Sequence, residues 1–174
     1  MGHEDHRRTG PPSVRVAVIT ASDTRGEAED ESGAFLRRAA AALGHTVVVY
    51  RVVKDEPERI RAALEEARVA GAEVMLVNGG TGIADRDRTF EAVEGLLEKR
   101  LDGFGELFRM LSYAEIGSAS MMSRAVAGAW RGCALFSMPG SISAVRLAFE
   151  KLIAPELSHL VRELRKDAAG PAAH

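Results

Sequence analysis

The chain has 174 residues, a net charge of −2 from 23 basic and 25 acidic side chains, 46% apolar and 28% charged residues, and 9 aromatic residues in all (6 Phe, 2 Tyr, 1 Trp). This length suits one domain with a full hydrophobic core, and the balanced charge and scarce aromatics argue against a nucleic-acid binder. Apolar runs stop far short of the roughly 20 residues that span a bilayer, no signal-peptide pattern opens the chain, and the lone Cys133 makes no intrachain disulfide, so a cytoplasmic protein without membrane contact is expected.

The chain divides into a polar N-terminal tail (residues 1–13), a single domain (14–166) and a frayed C-terminal end (167–174). Val14–Thr20 is a β-branched run of the kind buried in parallel sheets. A helix is predicted over Ser32–Leu43, stopped by Gly44, and His45 falls in the turn to the next strand. Thr46–Val53 reads as that strand, and Pro57 opens a helix to Ala70. Glu73–Val77 is a third strand, and Thr89 is placed as the N-cap of a helix through Leu97. Phe104–Ser112 forms another helix. Gly128 and Gly132 mark a hairpin or bulge ahead of a last strand, Ala134–Met138. Two helices follow, Ser141–Ile153 and Glu156–Lys166, divided by Pro155. The alternation implies an α/β fold: an open, mostly parallel sheet covered by helices on both faces, with a small antiparallel edge.

Ligands of open α/β sheets bind beyond the carboxyl ends of the strands, and four chemically unusual stretches fall there. Ser22 and Asp23 follow the first strand, as an Asx or ST turn or as polar contacts to a ligand. Gly79, Gly80, Thr81 and Gly82 follow the third; such a loop admits a close backbone approach and exposes successive N–H groups to an anion, although no Lys follows to make a Walker A loop. Asp85, Arg86, Asp87 and Arg88 come next, as a solvated salt-bridge cluster or as metal and phosphate ligands. Pro139, Gly140 and Ser141 follow the last strand, as a plain strand-to-helix turn or an anion-binding one. Asp55 either caps the helix at Pro57 or meets Asp87 over a shared metal. His3 and His6 have metal-ligand spacing but stand in the tail, and no Ser/His/Asp arrangement is readable.

Taken in order, Thr20-Ala21-Ser22-Asp23, Asn78–Gly82, Arg86-Asp87-Arg88-Thr89, Gly103–Arg109, Ser123-Arg124-Ala125 with Gly128, and Met138–Ser141 resemble the motifs of the MoaB/MogA family of molybdenum cofactor biosynthesis, and Ser112–Gly117 leans toward its MoaB branch. The resemblance covers about residues 14–165. It implies a molybdopterin adenylyltransferase that moves AMP from Mg²⁺-ATP onto the terminal phosphate of molybdopterin and releases pyrophosphate, with a separate protein inserting molybdate afterwards. It also implies a homo-oligomer, a trimer or a hexamer, which agrees with the apolar segment Phe104, Leu107, Phe108, Met110 and Leu111. By motif, Asp55 and Asp87 become the catalytic and Mg²⁺-binding carboxylates. Gly79–Gly82 would contact phosphates, and Ser22, Asp23, Thr89, Ser123, Arg124, Pro139, Gly140 and Ser141 would line the pterin and nucleotide pocket. Phe90 and Ile142 stand where the family often has proline. The alternative from another class is a non-catalytic molybdopterin carrier or scaffold, and a third is a nucleotide-binding regulator.

Overall fold

A computed structural model describes residues 11–166; the remainder of both expected tails, with His3 and His6, lies outside the described residues. Six strands form one sheet in the order β2-β1-β3-β6-β5-β4. They are β1 (Arg15–Ala21), β2 (Thr46–Val53), β3 (Val74–Asn78), β4 (Lys99–Arg100), β5 (Val126–Trp130) and β6 (Cys133–Met138). The β1–β2, β1–β3 and β3–β6 pairs are parallel, whereas β5 and β4 run antiparallel at one edge.

The helices are α1 (Glu31–Ala42), α2 (Pro57–Val69), α3 (Thr89–Glu94), α4 (Asp102–Ile116), α5 (Ile142–Ala148) and α6 (Leu157–Arg165). Period-two alternation sends Val16 and Val18 of β1, with Val74 and Leu76 of β3, into a core under α1, α4, α5 and α6. Their neighbours Ala17, Ile19, Met75 and Val77 pack against α2 and α3 on the opposite face. Strands buried on both faces read as unbroken apolar runs, which is why β1 and β3 were visible in the sequence.

Several local expectations shift. β1, α1, α2 and β3 begin or end one residue from the predicted bound, whereas β2 matches it at both ends. Thr89 is not an N-cap: α3 starts at Thr89 itself with Arg88 in the cap position, and the Thr89 hydroxyl donates to Asp55 instead. Asp55 does not cap α2 either, since Glu56 occupies that place without a side-chain bond. The ambiguous glycines resolve as a β5–β6 hairpin whose two turn residues, Arg131 and Gly132, both have positive φ (47° and 79°), the combination a two-residue primed turn demands. The helix expected over Ser141–Ile153 is α only to Ala148; Phe149–Ile153 is a π-helical turn. Ser141 does cap it, accepting from the Ala144 N–H.

Cys133 is a buried strand thiol that donates to the Ala72 carbonyl. His45 sits in the α1–β2 turn, where its Nδ1 accepts from the Val14 N–H at 3.2 Å. Only a neutral ring accepts there, and burial lowers the His45 pKa. The unfolded chain binds a proton near pH 6.5 that the folded ring resists, so His45 costs stability as pH falls below that value. A His45→Asn variant, which keeps an acceptor, is expected to show a shallower loss of Tm between pH 7 and 5 than the wild type.

Candidate functional site

The first three parallel strands set the position of the site. From β1 the chain crosses by α1 to β2 on one side, and then by α2, on the other face, to β3 on β1's opposite side. The loops after β1 and β3 therefore leave in different directions, and a crevice opens between them at the point where the winding reverses. Four loops meet there, after β2, β1, β3 and β6. They enclose a polar cleft of about 260 Å³.

Asp55, Ser22, Asp23, Gly79, Gly80, Thr81, Gly82, Asp87, Gly140 and Ser141 all line this cleft. Thr89, Ser123, Arg124 and Pro139 do not. Thr89 is wholly buried behind Asp55, and Ser123 closes a 3₁₀ turn (Gly117–Met122), its N–H donating to Ser120. Thr24, Arg25 and Arg86 also line the cleft. No sequence signal had singled out Arg25, one cation in a polar loop.

The glycine loop is wedged against its neighbours. Gly80 has φ of +60°, and a Cβ there would strike the Asp55 carboxylate and the Thr89 hydroxyl. A Cβ at Gly82 would strike the Asp87 carboxylate. Both acids thus lie directly on the loop, one at each end. The Asp55 carboxylate accepts at one oxygen from the Arg88 N–H (3.2 Å) and the Thr89 hydroxyl (2.7 Å). Its own N–H donates to Asp23, and Asp23 pairs with Arg86 at 3.2 Å. Asp87 accepts from the Ala84 N–H.

Burial raises the Asp55 pKa first, and the charges of Asp87 and Asp23 raise it further against two opposing hydrogen bonds. Three carboxylates that feel one another around a cleft form a site that a cation would relieve. Among the described residues no three His, Cys, Asp or Glu side chains come close enough to enclose an ion. That donor set does not make a protein cage. It fits Mg²⁺, which takes one or two carboxylates and fills its octahedron with water and phosphate oxygens.

Arg124 serves the loop from behind. Its guanidinium donates to the carbonyls of Thr81 (2.9 Å) and Gly82 (2.5 Å), pairs with Glu91, and lies 4.8 Å over the Phe90 ring. Phe90, one of the two departures from the family motif, thus supplies a platform for the arginine that fixes the loop. Ser32, fully buried in α1, donates to the Gly140 carbonyl at 2.9 Å and holds the fourth loop.

A family model described as "Probable molybdopterin binding domain" matches residues 17–159. The chain belongs to that family, on the MoaB-like side of it. It is 50% identical over 169 residues to molybdenum cofactor biosynthesis protein B of Bacillus subtilis (strain 168), covering 96% of this chain and 99% of the relative. The protein of that name from Staphylococcus aureus (strain Mu50 / ATCC 700699) is 47% identical over 157 residues, covering 88% and 94%. Among solved structures, a molybdenum cofactor biosynthesis protein B superposes with a TM-score of 0.86 at 50% identity, over 90% of this chain and 99% of the other. The tungsten cofactor synthesizing protein MoaB from Pyrococcus furiosus gives 0.84 at 40% identity, over 90% and 99%.

Gly80→Ala is expected to destabilise the fold by about 2 kcal/mol, because the methyl must displace Asp55 and Thr89 and adopt a left-handed backbone. Gly103→Ala, whose Cβ meets open space in α4, is the control and should be neutral or stabilising. Urea midpoints for the two variants make the comparison.

Proposed function

We propose that the protein acts in molybdenum cofactor biosynthesis as a molybdopterin adenylyltransferase. The observation that carries this reading is the arrival of Asp55 and Asp87, 32 positions apart in sequence, at the two ends of one glycine loop. The family membership and the names of its relatives support the pathway; the residues support the chemistry.

In the reaction, an oxygen of the terminal phosphate of molybdopterin attacks the α-phosphorus of ATP. The bond from that phosphorus to the bridging oxygen breaks, and pyrophosphate leaves with the electron pair. Nucleophile and electrophile are both anionic, so the protein's task is to offset charge and align the groups. The attacking phosphate is largely ionised near neutral pH and needs no strong base, consistent with a cleft that holds no His or Cys. Backbone of Gly79–Gly82 faces the cleft where phosphate oxygens would lie, and Arg25 and Arg86 add positive charge on its wall. Mg²⁺, when bound, would neutralise phosphate charge, with Asp55 and Asp87 as its protein ligands.

Asp87 brings negative charge to a site built for anions, and an amide oxygen can still accept from the Ala84 N–H, so Asp87→Asn should leave the fold intact. Asp87→Asn is expected to cut pyrophosphate release with molybdopterin and Mg²⁺-ATP at least about a hundredfold. Its melting temperature should match the wild type within a few degrees. Undiminished turnover in that variant would overturn the reading, and molybdopterin binding with no ATP-dependent pyrophosphate release by the wild type would replace it with the carrier.

A homo-oligomer belongs to the same proposal, with a changed surface. Phe104 and Phe108 are spent in the core under the sheet and are not available to a partner, and Leu111 packs against them. What α4 leaves exposed is Leu107, Met110, Tyr113 and Ile116, continued by Met121 at 81% exposure and Met122. An apolar stripe of this extent is unusual on a monomer. Multi-angle light scattering at micromolar concentration is expected to give at least the trimer mass; a monomer mass would contradict it. No helix among the described residues is long and apolar enough to cross a membrane.

A further inference from the structure

The loop that carries Asp87 has two sides. Its inner side faces the glycine-loop cleft. Its outer side forms one wall of a second and larger cleft, about 510 Å³, lined by Pro57 and Arg61 of α2, Ile83, Asp85, Asp87 and Arg88, with Glu91 and Arg124 at its back. Asp87 is the acidic residue common to both.

We propose that this outer cleft is a diphosphate site, gripped by Arg61 and Arg88 from facing walls. Most guanidiniums of this chain are spent on carboxylates: Arg51 on Glu66, Arg59 on Glu56, Arg68 on Glu65, Arg86 on Asp23, Arg100 on Glu94 and Arg124 on Glu91. Among the described residues, Arg61 forms no salt bridge or hydrogen bond, and Arg88 uses only its Nε, on the Asp85 carbonyl at 3.1 Å. Both are exposed and both face the same space. Two forked donors with free terminal nitrogens suit a ligand with several phosphate oxygens more than a single carboxylate. Arg124 already cancels Glu91, so a divalent cation at Asp87 would leave the cleft net positive. Arg61 and Arg88 are thus two guanidiniums with free terminal nitrogens that share one cleft with Asp87.

The assignment rests on the adenylyl-transfer reading for its role. In-line displacement at phosphorus needs the attacking and departing groups on opposite sides of the reacting atom. With the attacking phosphate in the inner cleft and the reacting phosphorus held between the two clefts, the outer cleft would lie on the exit side. There it would hold the β- and γ-phosphates of ATP before transfer and the pyrophosphate afterwards.

The test is titration calorimetry on the full chain with inorganic pyrophosphate and Mg²⁺, adenosine serving as the second probe. The wild type should bind pyrophosphate. Arg61→Gln and Arg88→Gln should each weaken it about tenfold, a loss of roughly 1.4 kcal/mol, and leave adenosine unaffected. Both side chains are exposed, so the variants should melt with the wild type. No pyrophosphate binding by the wild type, equal binding by Arg61→Gln, or loss of adenosine rather than pyrophosphate would each overturn the site. Arginine-dependent pyrophosphate binding in a protein that transfers no adenylyl group would refute the proposed function and leave the diphosphate site standing. Adenylyl transfer with equal pyrophosphate affinity in the variants would do the reverse.

Discussion

The contact on which the site depends is the one between Gly80 and the pair Asp55–Thr89. The backbone there has a left-handed turn and no room for a side chain, and the Asp55 carboxylate is seated by the Thr89 hydroxyl and the Arg88 N–H immediately beside it. Three segments, from the ends of β2 and β3 and the start of α3, are locked by that one close approach. Remove the space at Gly80 and the carboxylate moves, the start of α3 moves with it, and Asp87, one residue before Arg88, loses its place.

The electrostatic consequence is an arrangement that costs folding energy at neutral pH. Asp55 is partly withdrawn from water and faces the charges of Asp87 and Asp23, and its pKa rises as a result. Because the folded pKa lies above the unfolded one, that cost is greatest where all three are ionised and fades as pH falls toward the ordinary aspartate range. Proteins retain unfavourable charge where binding a ligand repays it. The rest of the site is braced to tolerate the repulsion: Arg124 ties the loop carbonyls from behind, Arg86 offsets Asp23, and buried Ser32 pins Gly140 across the cleft.

The sheet was largely legible in the sequence because its central strands are buried on both faces and appear as continuous, mostly apolar runs. The hairpin was less so, since Arg131 adopts a positive φ with nothing in its identity to announce it. The glycine loop and the acids near it stood out by composition, and the motif resemblance ordered them. What the sequence does not show is how such residues also brace one another: the Thr89 hydroxyl seats Asp55, and Arg124 ties the loop carbonyls, because hydroxyls and guanidiniums satisfy backbone and carboxylate partners as readily as ligands. Phe104 and Phe108 belong to the apolar segment that agrees with a homo-oligomer, yet the structure spends them on the core: an apolar helix does not declare how much of its girth the core will take. Arg61 carried no signal at all, being one cation among many on an amphipathic helix; only the cleft it faces distinguishes it.

The central claim is that Asp55 and Asp87 act together on one divalent ion. Mn²⁺ binding followed by electron paramagnetic resonance in the presence of ATP, across wild type, Asp55→Asn, Asp87→Asn and the double variant, measures it directly. The account predicts one ATP-dependent ion in the wild type, a sharp loss in either single variant, and little further loss in the double, the signature of two ligands sharing one ion. Fully additive losses, or an ion indifferent to either substitution, would mean that the two carboxylates do not share a metal.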